Sequence, residues 1–181
     1  MKKILCLFAV ALLGLSVQLQ AQNTTELFRF VYQPTSDGPK KALVHNSTDH
    51  TAVFENLQSE QFSKQAGYLQ AFILKKLENQ DGKVLIASAK APEYFLKFNS
   101  STNTVQFAKI NAGENLTPFT WEIILNSETD VNLIALQTVA KNRFAVKMEN
   151  NAPKVANRIT PGGAKVDQNF SFRLERVTNV F

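Results

Sequence analysis

Leu133-Ile134-Ala135-Leu136-Gln137-Thr138, running on to Arg143-Phe144-Ala145-Val146-Lys147-Met148-Glu149-Asn150, is a diverged copy of Leu85-Ile86-Ala87 through Tyr94-Phe95-Leu96-Lys97-Phe98-Asn99, displaced by about fifty residues. A fixed period of this size marks repeated supersecondary units, each of which buries its apolar face only by packing on its neighbours. Working outward, Tyr94 to Phe144 and Val105 to Val155 are each 50 residues apart, and Phe119 to Phe170 is 51.

Within each unit the apolar residues recur at period two, in short runs between turn residues, which is the pattern of half-buried strands. The first unit gives strands at Phe28–Tyr32, Ala42–His45, Ala52–Leu57 and Tyr68–Leu77. The second gives Val84–Ala87, Tyr94–Phe98, Val105–Ile110 and Phe119–Leu125, and the third gives Val131–Leu136, Phe144–Met148, Val155–Ile159 and Phe170–Val177. Pro34 to Pro39 forms a turn cluster, and Asp81-Gly82 reads as a two-residue hairpin turn. In Phe119-Thr120-Trp121-Glu122-Ile123 a slip of one residue would expose Phe119, Trp121 and Ile123, at roughly 1.5 to 3 kcal/mol per large side chain. The matching strand of the first unit admits two registers. One puts Gln70 where Phe119 stands; the other starts at Tyr68 and puts Gln70 inward at the next position.

Four strands repeated three times resemble the β-trefoil, in which six strands make a small barrel and six make hairpins capping one end. The resemblance covers residues 22–181 as a single all-β domain, with units at about 26–77, 83–125 and 131–177. The repeat length is similar to that of the fascin, fibroblast growth factor and interleukin-1 branch. An up-and-down barrel or a two-sheet sandwich also has short alternating strands, but neither explains three units of matching spacing.

Residues 1–21 read as a signal peptide: Lys2-Lys3, an apolar run from Ile4 to Val17, and a small residue, Ala21, at the expected cut. The run is too short to span a bilayer, which needs roughly 20 apolar residues, and no later stretch approaches that length. The leader resembles those of Gram-negative envelope proteins, so the expected location is the periplasm or the outside of the cell. Cys6 lies inside it, so cleavage would leave no thiol for disulfides, thiolate chemistry or cysteine metal sites. The formal charge of +5 includes Lys2 and Lys3, leaving +3 after cleavage, with Lys and Arg dispersed among acids. That dispersal predicts a solvated surface and no nucleic-acid partner.

No nucleophile elbow, metal motif or phosphate loop is present, and Pro161-Gly162-Gly163 reads as a turn. The sequence therefore predicts no enzyme, no cofactor and no metal. Trp121 reads as core, and the Gln-x-Trp signature of ricin-type lectins is absent, Phe119-Thr120-Trp121 and Phe170-Ser171-Phe172 standing in its place. Asn-x-Ser/Thr triplets at Asn23, Asn46, Asn99, Asn115 and Asn169 read as chance in an Asn-rich chain behind a bacterial-type leader.

Two clusters remain as candidate ligand contacts. His45 and His50 share a turn with Asp49, where solvated loop side chains are expected. Tyr94 follows Pro92-Glu93 at the start of a strand, where an exposed aromatic would anchor a ligand, although its counterpart Phe144 argues for an inward side chain. His45, Asp49, His50 and Tyr94 are thus the predicted site. The trefoil resemblance implies a binding role through loops on a closed scaffold, with a glycan as the first expected partner and a protein as the second.

Overall fold

The computed structural model describes residues 26–32, 38–57, 70–125, 133–158 and 168–177. The expected signal segment, Asn23, Tyr68 and the Pro161-Gly162-Gly163 turn lie outside them.

Twelve strands form: β1 Leu27–Tyr32, β2 Lys41–His45, β3 Ala52–Asn56, β4 Phe72–Lys76, β5 Lys83–Ser88, β6 Tyr94–Asn99, β7 Thr104–Lys109, β8 Thr120–Leu125, β9 Leu133–Thr138, β10 Phe144–Glu149, β11 Ala152–Asn157 and β12 Phe172–Val177. β1, β4, β5, β8, β9 and β12 pair antiparallel in a closed ring, β1 meeting β12 at one seam. Closure leaves no free barrel edge. The hairpins β2–β3, β6–β7 and β10–β11 cap one end.

The register reveals the threefold relation. Phe72 pairs with Ser88 across β4–β5, and Trp121 pairs with Thr138 across β8–β9. Phe72 and Trp121 are fully buried and Phe172, at the same position in the third unit, is 2% exposed. Each such side chain contributes roughly 1.5 to 3 kcal/mol by leaving water. Trp121 also donates its indole N–H to the Leu96 carbonyl, at 2.9 Å. Its expected core position is met with its one polar atom satisfied.

Three further bonds tie the cap into a ring. The Phe107 N–H donates to the His50 carbonyl, the Val155 N–H to the Asn103 carbonyl and the Phe54 N–H to the Asn151 carbonyl, each at 2.8 Å. Each unit's turn thus braces the next unit's outer strand, cyclically. All three acceptor residues have left-handed backbones, with φ of 58° at His50, 51° at Asn103 and 63° at Asn151. Asn and His are among the few side chains that tolerate this region.

These equivalences correct the sequence alignment in two places. Phe107, not Val105, corresponds to Val155, because the third turn holds two residues, Asn150 and Asn151, where the second holds four. Both Asn residues have positive φ, as a tight hairpin turn of this length requires. Ser88 corresponds to Thr138, so Leu85 matches Ala135, and the Leu-Ile-Ala likeness runs two residues out of step. Both slips are even, so they keep the same face inward and leave the alternation intact.

Gln70 takes the position of Phe119. It is 1% exposed and donates its side-chain amide to the Asn56 carbonyl at 3.0 Å, and the pairing of Phe72 with Ser88, matching that of Trp121 with Thr138, settles the first-unit register. The Asp81-Gly82 turn is longer than the expected two residues: the last bond across it runs from the Leu77 N–H to the Lys83 carbonyl, and Gly82 adopts φ 75° within it.

Candidate functional site

The expected site residues converge where the first unit's cap turn meets the second unit. His45 ends β2 and pairs with Ala52. It lies two residues beyond Leu43 and shares that residue's inward face. It is fully buried, which corrects the expectation of a solvated loop histidine and removes it from direct contact with any ligand. By register it occupies the place of Phe98 in the second unit, a slot for a flat ring. Phe107 packs against it with ring centroids 4.3 Å apart.

Both imidazole nitrogens are engaged. His45 Nδ1 lies 2.8 Å from Ser88 Oγ, and Nε2 lies 3.1 Å from His50 Nδ1. A neutral imidazole offers one donor and one acceptor, so a one-way chain Ser88–His45–His50 satisfies all three groups. Burial foremost, and the neighbouring His50 after it, bring the His45 pKa down from 6.5 to about 4 against the opposing pull of Glu93 and Asp49. His45 is therefore neutral near pH 7, a buried polar brace between units.

His50 carries this chain toward the surface. Its ring stacks on Tyr94, with centroids 3.9 Å apart and planes 17° from parallel. Both rings are partly exposed, so Tyr94 is neither a free anchor nor a core residue like Leu96. Lys109 Nζ sits 5.0 Å from the Tyr94 ring centroid and 3.7 Å from a Glu93 carboxylate oxygen. Both charged side chains are 55% exposed.

Asp49 is exposed, but its Oδ1 accepts the Thr51 N–H at 3.0 Å and the Thr51 hydroxyl at 2.7 Å. Those bonds, the backbone one foremost, hold its pKa below the usual carboxylate range. Its work is to shape the turn that places His50. The structure thus brings His45, His50 and Tyr94 together, with Asp49 one residue before His50 holding the turn, and adds Ser88, Glu93, Phe107 and Lys109. Among the described residues no group of three His, Cys, Asp or Glu is placed to hold a metal ion, and no helix is long and apolar enough to cross a membrane.

No family model matches the chain, and no curated protein matches it. Solved structures do. The BEL β-trefoil superposes with a TM-score of 0.59 at 12% identity, over 84% of this chain and 93% of that one. A designed threefold-symmetric protein, ThreeFoil, gives 0.54 at 18% identity, over 82% and 96%. The fold is the β-trefoil. An arabinofuranosidase complexed with arabinofuranosyl-α-1,2-xylobiose gives a TM-score of 0.64 at 12% identity, over 84% of this trefoil but 31% of the arabinofuranosidase. The trefoil likewise spans 38% of Cry35Ab1 and 33% of a GlcNAcα1-4Gal-releasing endo-β-galactosidase from Clostridium perfringens. At such identities the likeness carries the fold alone.

Proposed function

We propose that this chain is an exported, non-enzymatic binding module that recognises a glycan at the seam between its first and second units. The observation that carries this reading is the partly exposed His50–Tyr94 stack flanked by the exposed Glu93 and Lys109 side chains. An aromatic surface accepts the C–H face of a sugar ring, while a carboxylate and an ammonium beside it suit hydroxyls. The Glu93–Lys109 pair is long and solvated, so it holds little energy and can open to a ligand.

The non-enzymatic part rests on burial. Among the described residues the one serine shown hydrogen-bonded to a histidine, Ser88, is fully buried with His45, so neither can meet a substrate. The fold also occurs within proteins named for action on glycans, the arabinofuranosidase and the endo-β-galactosidase, where it fills about a third of the chain.

A glycan array combined with pull-down from envelope extract tests the reading. Saturable binding that free sugar competes away, lost in Tyr94→Ala with the unfolding midpoint retained, supports it. One tight protein partner insensitive to sugars would replace it with a protein-binding role, and hydrolysis of a cell-wall or dietary polysaccharide would overturn both.

A further inference from the structure

The hairpins leave the barrel beyond Tyr32, Ser88 and Thr138, so the other ends of the same strands form the opposite mouth. There Phe28, Leu74, Val84 and Ile123 line a cleft of about 470 Å³ together with Ile73, Glu26 and Lys76. The register explains the lining. Phe28 pairs with Phe72, and Val84 pairs with both Trp121 and Lys76, so these side chains share the inward face with the two core aromatics.

A cleft of this size falls in the small-ligand range of about 300 to 1,000 Å³, and barrel mouths are among the places where such sites occur. Its walls are apolar, and its two charges are not equivalent. Glu26 is held by Arg176 at 2.6 Å, whereas Lys76 has no ion pair among the described residues. Among the described residues, the cleft therefore presents one ammonium without a carboxylate partner beside an apolar hollow.

We infer that this mouth binds a single-chain amphiphile with a carboxylate head, its alkyl tail on Phe28, Leu74, Val84 and Ile123 and its head on Lys76. The apolar walls give such a tail a surface to leave water on, and the lysine selects an acid over a neutral head. This site is remote from the glycan seam and independent of it.

Titration calorimetry with decanoate below its micelle concentration, with decanol as the neutral counterpart, tests the inference. Expected is saturable one-site binding of decanoate, at least about fivefold tighter than decanol, as a charge-assisted contact gives. In Lys76→Met, a change at an exposed position, that preference disappears while decanol binding and the unfolding midpoint stay as they were. Tyr94→Ala leaves both ligands unaffected. Absence of saturable decanoate binding, or a Lys76→Met protein that still prefers the acid, overturns the assignment.

Discussion

The cap turns of the first and second units are the same length and solve the same backbone problem with different side chains. In both, an Asn opens the turn and accepts a backbone N–H two residues on: Asn46 from Thr48 and Asn99 from Ser101. In both, a residue with left-handed φ gives its carbonyl to the next unit. The second unit fills this position with Asn103 and the inward slot with Phe98; the first uses His50 and His45. The fold's demands are met either way, so what the histidines add is a hydrogen-bonded line from buried Ser88 to the partly exposed Tyr94 stack. Comparing units within one chain separates what the architecture requires from what a site requires.

The sharpest way to break the comparison is acid. Because the folded-state pKa of His45 lies below its unfolded value, the unfolded chain takes up the proton first as pH falls. The stability tied to this group is complete above pH 6.5, declines between 6.5 and about 4, and changes no further below that. The full loss is about 3 kcal/mol, since each tenfold change in proton affinity is worth about 1.4 kcal/mol. Denaturant unfolding across that window should show a steep slope in the wild type and a much shallower one in His45→Phe, which makes the first unit resemble the second; what remains comes from carboxylates held low, Asp49, Glu114 and Glu149.

Next in size, His45→Ala removes a buried ring and strands Ser88 and His50. We expect about 2 to 3 kcal/mol of destabilisation at pH 7.5, read from the urea midpoint. Replacing either left-handed residue by valine, in His50→Val and Asn103→Val, should cost about 1 to 2 kcal/mol from backbone strain, His50→Val losing its Tyr94 stack and His45 bond in addition. A cost for Asn103→Val above that for His50→Val would mean that the braces are not equivalent. His50→Asn sharpens the contrast: the brace survives, the Tyr94 stack is lost, and the cost should stay below about 1 kcal/mol while ligand binding falls. Asp49→Ala should have the smallest effect, a slight fall in the thermal midpoint from loosening the turn around Thr51.

Much of the fold was legible because strand alternation and a period near fifty are properties of the chain itself. The two misplaced equivalences, Val105 with Val155 and Leu85 with Leu133, arose because a displacement by two preserves every inward position, and only hydrogen-bond register resolves it. The candidate site was half legible. His45, Asp49, His50 and Tyr94 stand out by residue type and local position, and the structure brings three of them together, yet His45 was read as a loop residue although it continues the inward face of Leu43. Ser88, 43 residues from His45 in sequence, carries no local signal; its role comes from where the barrel turns into the second hairpin.

The cyclic cap bonds from Phe107 to His50, Val155 to Asn103 and Phe54 to Asn151 leave no first or last member. A fragment lacking any one third would retain a donor with nothing to give to and an acceptor with nothing to take from. Independent folding of a single third is therefore disfavoured, whereas moving the termini to another inter-unit junction would leave every member of the circle in place.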